Sequence, residues 1–388
     1  MAKNLSPFSP SERKRRQKII HQLTDPDFIF APYLAKQMAT ENPIRDGFVP
    51  IGSDFRDFTI AHDRGRYHAF YIDVRHGKHS RRPDNPFFVG HASTRDFMEW
   101  DVHEPALQPV AGTWDAGRAG APYVFAVTRS KRLDKIAGIP VRFVMIYTGL
   151  SRRLCQSLGM AFSNDLLYWV RYDTNPIFQP THLAWAEWSR DRISNCRDPH
   201  VLKIGRRYLL YYTALQKDAD VCIAAAESMD LENWHDLGPV ISRPIGRSTP
   251  AMLESSCVYP LGRKFVMTYT YLGGTWLSIS DDPLNFENGS MLIKGYWAME
   301  QVCIKANRWL VAFFRQHARN RPGAMFLGIV TWRGTRHTFK LCQQPRMWRP
   351  SFSIRAFQTV QCHVGGGKAR CHPYFHGKRC HHQVSLNF

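Results

Sequence analysis

Three carboxylic acids stand at similar places in the chain: Asp57, Asp198 and Glu254. Asp57 and Asp198 each follow an arginine, and each lies ten residues before a tyrosine in an apolar run. Glu254 lies eleven residues before Phe265, which belongs to a similar run. A protonated carboxyl can donate a proton to a leaving oxygen, and an ionised carboxylate can act as base or nucleophile. Cleavage of a glycosidic bond needs this pair of groups.

The acids belong to a repeated unit that is typical of a β-propeller. The hairpin at each acid is followed by a second hairpin, where a serine, an acid and an aromatic residue recur. Units of about 50–70 residues with four strands each indicate propeller blades rather than a sandwich. We therefore predict an all-β fold, a five-bladed β-propeller of four-stranded antiparallel blades over residues 45–341. We interpret the recurring turns as structural. They are Ser93-Asp96-Trp100, Ser163-Asp165-Trp169, Ser228-Asp230-Trp234 and Ser280-Asp282-Phe286.

The predicted propeller brings the three acids together. The innermost strand of each blade lines a central channel, so acids at the starts of inner strands converge on one funnel. Gathering like charges raises their pKa values and is characteristic of functional sites. This favours catalysis for Asp57, Asp198 and Glu254 over a structural role in turns. Glu300 also begins an inner strand, three residues before a cysteine, and is the alternative to Glu254 as proton donor.

The five-bladed pattern with these acids resembles the glycoside hydrolases of families 43, 32, 62 and 68 over roughly residues 45–335. Arg197-Asp198-Pro199 is similar to the transition-state-stabilising motif of families 32 and 68. The spacing from Glu254 to Phe265 is closer to that of family 43. Family 32 carries Asn-Asp-Pro-Asn at the first acid, where this chain has Arg56-Asp57-Phe58-Thr59. The resemblance therefore leaves the subfamily open.

The resemblance implies a role for each residue of the predicted site. Asp57 would be the general base of an inverting enzyme or the nucleophile of a retaining one. Glu254 would be the general acid, and Asp198 would orient the sugar and tune that acid. Arg197 would donate a hydrogen bond to a substrate hydroxyl or to Asp198. Retention or inversion depends on the separation of the Asp57 and Glu254 carboxyls.

Other residues near the predicted funnel mouth are candidates for binding the substrate. A tryptophan ring can cover the apolar face of a sugar, although ordinary loop packing is an equal alternative. A guanidinium or imidazole after the fifth inner strand could reach sugar hydroxyls or a cation in the channel. The candidates are Trp185, Trp188, Trp114, Asp115, Arg315 and His317.

The charge of the chain is unevenly distributed. The net charge is +20, but residues 301–388 carry fifteen Lys and Arg and no acid, so the first 300 residues hold only +5. We therefore expect no nucleic-acid binding by the propeller. No run of 18 apolar residues is present, which predicts no membrane span. Nine cysteines without framework spacing, and no secretory signal, predict a cytoplasmic protein with free thiols.

The two ends differ from the propeller. Residues 1–44 are a basic lead-in with a predicted helix at about 11–23. Residues 342–388 are rich in Gly, Arg, His and Cys without a periodic pattern, which predicts a disordered tail. Zinc binding by its Cys and His residues is the alternative, although their spacing matches no known ligand pattern. We expect no cofactor and no metal at the acids, and leave open a structural cation in the channel and the oligomeric state.

The leading hypothesis is hydrolysis of a furanoside or pyranoside of the arabinose, xylose, galactose or fructose type. The substrate would be an oligo- or polysaccharide or a small glycoside. A phosphorylase or transglycosylase could use the same acids, with Arg56, Arg118 and Arg197 beside a phosphate acceptor. The alternative from another class is a non-catalytic carbohydrate-binding or scaffold propeller, in which removal of the carboxyls leaves function intact.

Overall fold

A computed structural model describes residues 42–75, 87–151, 155–189, 195–217, 220–244, 253–287, 289–305, 307–315 and 323–342, with two further strands at 360–365 and 368–373. The described residues between 53 and 341 form five sheets of a β-propeller, each with four consecutive antiparallel strands, which confirms the predicted fold. The predicted N-terminal helix and most of the predicted tail lie outside the described residues. Within the described part, no helix has the length and apolarity needed to cross a membrane.

The blades follow one another in chain order. The first has β1 (Ser53–Asp63), β2 (Arg66–Arg75), β3 (Phe87–Thr94) and β4 (Trp100–Leu107). The second has β5 (Arg118–Ala126), β6 (Phe143–Leu150), β7 (Gln156–Ser163) and β8 (Val170–Arg171). The third has β9 (Arg197–Ile204), β10 (Arg207–Leu215), β11 (Asp220–Ser228) and β12 (His235–Pro244). The fourth has β13 (Glu254–Leu261), β14 (Lys264–Tyr271), β15 (Gly274–Ser280) and β16 (Ser290–Lys294). The fifth has β17 (Trp297–Lys305), β18 (Arg308–Arg315), β19 (Ala324–Arg333) and β20 (Arg336–Leu341).

A few elements lie outside the regular blades. Helix α1 (Pro43–Asp46) precedes the first blade, and helix α2 (Lys131–Ala137) joins β5 to β6. Strands β21 (Val360–Gly365) and β22 (Lys368–Pro373) extend the sheet of the third blade, with β21 parallel to β9. The first strands of neighbouring blades contact each other around the channel. The starts of β1, β5, β9, β13 and β17 are therefore the elements that position any site at the funnel.

The blades are held together by apolar layers between their faces. The second strands β6, β10 and β14 are almost continuously buried, because each has a neighbouring blade on both sides. Large aromatic rings fill these layers, and Tyr147, Tyr211 and Tyr269 are all fully buried. The segments with apolar runs and period-two alternation in the sequence are thus the strands that pack between neighbouring blades.

The ring closes between the first and fifth blades. The backbone N–H of Phe48 donates to the carbonyl of Met325 at 2.8 Å, and the N–H of Met325 donates back at 2.9 Å. Asp54 Oδ1 accepts the backbone N–H of Gly323 at 2.6 Å. These bonds connect the segment before β1 to the start of β19, so the ends of the propeller are joined without exchange of a whole strand.

The recurring turn joins the third and fourth strands of a blade. In the second blade Ser163 Oγ accepts the N–H groups of Asp165 and Leu166, at 3.2 and 2.9 Å. In the first blade the hydroxyl comes from Thr94 and not from Ser93 as predicted, because Thr94 Oγ1 accepts the N–H of Phe97 at 2.9 Å. The spacing to the aromatic residue is therefore six in every blade that carries the turn.

Candidate active site

All five inner strands carry a β-bulge near the same mouth of the channel. The bulge re-aims a side chain toward the axis, at the cost of an unusual backbone conformation. In four of the strands the bulge residue has a left-handed φ between 40° and 54°. The five bulge residues line one cavity, and we refer to them as the bulge ring: Asp57, Ala121, Asp198, Ser255 and Ala298.

The register of the strands refines the predicted equivalence of the acids. Arg197 pairs with Thr213 directly before the bulge in β9, and Glu254 pairs with Thr270 at the same point in β13. Glu254 therefore corresponds to Arg197, and Ser255 corresponds to Asp198. This offset explains the spacing of eleven residues from Glu254 to its aromatic partner. Asp57, in turn, is the fifth residue of β1 and not its start.

Asp57 faces the cavity from the first blade. Its Oδ1 accepts a hydrogen bond from Ser255 Oγ at 2.9 Å. Burial and, next to it, the charge of Glu254 raise the pKa of Asp57 to about 6, against the opposing effects of Ser255 and Arg197. Ser255, the residue after Glu254, thus connects the fourth blade to Asp57, and a carboxylate at Asp57 is available at neutral pH.

Asp198 faces the cavity from the third blade and is 7% exposed. Its Oδ2 accepts from Thr213 Oγ1 and from the backbone N–H of Ser255, both at 3.2 Å. Arg197 Nε lies 3.4 Å from the same oxygen. Burial raises the pKa of Asp198 to about 8, with Arg197 acting in the opposite direction. The site therefore holds a second carboxyl that can both donate to and accept from a sugar hydroxyl.

Glu254 stands at the rim, where its side chain is 30% exposed. Arg197 Nη2 donates to Glu254 Oε2 at 2.7 Å, so one guanidinium contacts both predicted acids of the third and fourth blades. Arg197 Nη1 also donates to Gln156 Oε1 at 3.4 Å. The partly open position of Glu254 is where a leaving group would emerge from the funnel.

Glu300 lies in the same cavity but is bound on both oxygens. Its Oε1 accepts from Thr59 Oγ1 at 2.8 Å, and its Oε2 accepts from Cys257 Sγ at 3.2 Å and Tyr259 OH at 3.4 Å. Burial raises the pKa of Glu300 to about 7. Protein donors occupy the oxygens that a leaving group would need, which favours Glu254 over Glu300 as the proton donor.

The structure separates the predicted binding residues from the bulge ring. Trp188 is linked to Arg197 through Gln156. Its Nε1 donates at 2.8 Å to the carbonyl of Gln156, whose side chain contacts Arg197. Trp185 Nε1 donates to Asp236 Oδ2 at 2.9 Å. Both rings are half-buried against the core between the second and third blades.

The other candidates have protein contacts of their own. Trp114 packs on Gly149 and Gly159 of the second blade, and Asp115 is fully buried, accepting from Tyr147 OH at 3.0 Å. Arg315 is exposed, and its Nη1 donates to a tyrosine hydroxyl, that of Tyr296, at 3.1 Å. His317 lies outside the described residues. Over the described part of the chain, none of Trp185, Trp188, Trp114, Asp115 and Arg315 lines the cavity of the bulge ring.

Sequence reasoning missed two kinds of site residue. Ser255 is one, although it stands ten residues before Phe265 just as Asp57 stands ten before Tyr67. The threonines Thr148 and Thr213 are the other, since Thr148 Oγ1 accepts the backbone N–H of Asp198 at 3.1 Å. Their spacing carries no signal, because both come from second strands: Thr213 meets Asp198 through the pairing of β10 with β9, and Thr148 meets it across the contact between the second and third blades.

The site offers groups for acid–base chemistry. Within the ranges that the structure describes, no three His, Cys, Asp or Glu residues are arranged to hold a metal ion. Asp57 and Asp198 line one cavity from the first and third blades, and Arg197 connects Asp198 to the partly exposed Glu254 of the fourth blade. This arrangement suits cleavage of a bond between an acetal carbon and an oxygen, where a proton donor and a nucleophile or base act from different sides.

Comparison with known proteins gives a family. The model of the glycosyl hydrolases family 32 N-terminal domain matches residues 58–308, which include Asp198 and Glu254 and begin one residue after Asp57. A bifunctional 6(G)-fructosyltransferase/2,1-fructan:2,1-fructan 1-fructosyltransferase of Allium cepa is 29% identical over 127 residues. That match covers 30% of this chain and only 17% of the length of the onion protein.

Solved structures share the fold. A Bombyx mori family 32 β-fructofuranosidase matches with a TM-score of 0.54 and 17% identity, over 85% of this chain and 69% of that one. A sucrose-6-phosphate hydrolase from Lactobacillus gasseri matches at 0.57 and 15%, over 84% and 66%. A thermostable family-43 glycoside hydrolase matches at 0.57 and 14%, over 78% and 96%. At these identities the matches show a common propeller architecture.

Proposed function

This chain belongs to glycosyl hydrolase family 32, and we propose from that premise that it hydrolyses the glycosidic bond of a fructofuranoside. The observation that carries the proposal is a connected set of acids: Asp57 and Asp198 line one cavity, and Arg197 contacts both Asp198 and Glu254. The named relatives of the chain, a fructosyltransferase and a β-fructofuranosidase, support a fructosyl group as the part of the substrate that enters the funnel.

Glu254 would protonate the leaving oxygen. Its position at the rim lets the aglycone sugar lie toward solvent while the fructosyl ring occupies the cavity. The 2.7 Å contact with Arg197 would be replaced by a contact with the leaving oxygen, and Arg197 would then donate to a hydroxyl of the bound sugar. General acid assistance of this kind accelerates bond cleavage by about 10²–10⁴-fold.

Asp57 would attack the anomeric carbon, either directly or by activating a water molecule. Ser255 holds its Oδ1 and the residue lines the cavity, so the second carboxylate oxygen would be the attacking atom. Asp198 would hold two hydroxyls of the sugar ring, because the neighbouring Arg197 and Thr213 fix its orientation. Hydrogen bonds to the sugar that strengthen as charge develops would stabilise the transition state.

Transfer of the fructosyl group to a second sugar is the competing activity. The curated relative in onion is named as a fructosyltransferase, and hydrolysis and transfer differ only in whether water or a hydroxyl accepts the group. Incubation at high sucrose concentration separates the two. Free fructose in step with glucose indicates hydrolysis, and a deficit of fructose with new trisaccharide indicates transfer.

The test is a substrate screen of the wild type beside Glu254→Gln. We expect release of fructose from sucrose or a short fructan, with little or no cleavage of aryl α-L-arabinofuranoside, β-D-xyloside or galactoside, and loss of release in the variant. Cleavage confined to one of the non-fructosyl substrates would refute the fructosyl assignment. Sugar binding without cleavage of any substrate would instead favour a binding propeller.

A further inference from the structure

Ser255 joins the two acids of the bulge ring. Its backbone N–H donates to Asp198 Oδ2 at 3.2 Å, and its hydroxyl donates to Asp57 Oδ1 at 2.9 Å. The residue is 8% exposed, and it stands at the register position that Asp198 occupies in the third blade. At this position of the bulge ring the third blade contributes an acid, Asp198, and the fourth blade contributes a hydrogen-bond donor, Ser255.

We propose that Ser255 is a positioning residue of the reaction: its hydroxyl aims Asp57 at the anomeric carbon and couples its orientation to that of Asp198. The inference rests on the proposed function. A carboxylate on a strand bulge can rotate about its terminal bond, and a donor fixed at one oxygen leaves the other to face the substrate.

The backbone of Ser255 supports this role. Its φ of 53° lies in the left-handed region, which is unfavourable for a residue with a Cβ. A strained conformation persists only where surrounding contacts determine it, and such strain concentrates at functional sites. Here the conformation points the N–H at one acid and the hydroxyl at the other, so one residue restrains both.

The electrostatics agree with the geometry. A hydrogen bond that a carboxylate accepts favours its charged form, and the Ser255 hydroxyl acts against the burial and the Glu254 charge that raise the pKa of Asp57. Asp57 must be ionised to attack. Loss of the hydroxyl should therefore raise the pH at which Asp57 ionises and leave its carboxylate less well oriented. The backbone N–H of Ser255 would still donate to Asp198.

The pH dependence of kcat/KM for fructose release from sucrose tests the proposal in Ser255→Ala and Ser255→Gly. We expect the acid limb to move to higher pH by about one unit in both, with kcat lower by about tenfold at the optimum, since a hydrogen bond to a charged group has this magnitude. Ser255→Cys retains a weak donor and should fall between them and the wild type. Because glycine relieves the strained φ, recovery of wild-type kinetics in Ser255→Gly would overturn the proposal.

Ser256→Ala is the matched control. It removes a neighbouring buried hydroxyl from the same strand, and the acid limb should stay in place. If Asp57→Asn inactivates the enzyme but Ser255→Ala leaves the acid limb of the kcat/KM profile in place, the inference about Ser255 is wrong. The proposed function would not be affected by that result. Absence of glycoside cleavage by the wild type would defeat the proposed function itself.

A measurement without substrate checks the same bond. Ser255→Ala should destabilise the protein more at pH 8 than at pH 5, because Asp57 is charged only at the higher pH. In an Asp57→Asn background this difference should vanish. A pH-dependent effect of equal size in that background would show that the Ser255 hydroxyl acts elsewhere, against the proposal.

Discussion

At the scale of single residues, the site is built from carboxyl groups whose charged form is disfavoured by burial. Burial raises the pKa of Asp57, of Asp198 and of Glu300, although each has hydrogen-bond donors beside it. Such groups weaken the folded state whenever they are charged. Active sites commonly gather such groups in one cavity, where the shifted pKa values serve acid–base chemistry and lower the stability of the fold.

Asp198→Asn should raise stability at alkaline pH. The folded-state pKa of Asp198, about 8, exceeds its ordinary value of 3.8, so the carboxyl favours folding when protonated. That stability is fully present below about pH 4 and is lost as the pH rises through about 8. The variant should therefore melt higher than the wild type by several degrees at pH 8 and by less at pH 5, in calorimetric scans. A larger gain at pH 5 would contradict the assignment.

Arg197→Lys should damage the site although it preserves charge. Arg197 contacts Glu254, Asp198 and Gln156 at once, which a single ammonium cannot do. We expect kcat/KM for sucrose to fall by about 10- to 100-fold, the range for losing a hydrogen bond to a charged group. Arg207→Lys, an exposed arginine paired with Glu227 in the same blade, is the control and should be neutral. Equal effects of the two changes would count against a role for Arg197.

At the scale of elements, the blades could be predicted from the sequence and the bulges could not. Apolar runs and the recurring turn mark the hairpins, because burial between blades imposes them on every repeat. A bulge adds one residue without changing composition, so the offset that puts Glu254 opposite Arg197 appears only in the strand register. The role of Ser255 depends on that offset, whereas the contacts of Thr148 and Thr213 with Asp198 depend on how the second and third blades pack and pair.

The recurring turn should contribute measurably to stability. Asp165 Oδ1 accepts the N–H groups of Leu167 and Tyr168, at 2.9 and 3.0 Å. Asp165→Ala should lower the free energy of unfolding by about 1–2 kcal/mol, as for loss of a helix cap with a similar bonding pattern. The exposed Asp173, at the end of the same blade, is the comparison in urea titrations. A loss as large in Asp173→Ala would argue against a specific role for the turn.

At the scale of the whole molecule, the five blades form a closed ring, which both stabilises the fold and surrounds the funnel. The bonds of Phe48 with Met325 join the last blade to the first, and the apolar layers between blades exclude water from many ionisable side chains. Among the described residues, burial lowers the pKa of six histidines and raises the pKa of four carboxyls. The histidines are His62, His68, His91, His103, His200 and His337, and the carboxyls are Asp57, Asp73, Asp198 and Glu300.

These two groups predict the pH range of greatest stability. The neutral histidines stabilise the fold above their ordinary pKa of 6.5, and this contribution is lost as the pH falls, down to about 3 for His68 and His200. The protonated carboxyls stabilise it at low pH, and their contribution is lost between about pH 4 and pH 8. The slopes oppose each other between about pH 4 and pH 6.5, so the melting temperature should be nearly level there and fall on either side. A maximum above pH 8 would disagree with this account.

The central claim is that Glu254 and Asp57 divide the work of bond cleavage. The most direct test is the rate of Glu254→Gln on two fructofuranosides, one with a sugar leaving group and one with an activated aryl leaving group, beside Asp57→Asn on both. The account predicts that Glu254→Gln loses about 10²–10⁴-fold on the sugar but little on the aryl substrate, since a good leaving group needs no proton. Asp57→Asn should lose activity on both. Equal losses on the two substrates in Glu254→Gln, or full activity in Asp57→Asn, would contradict it.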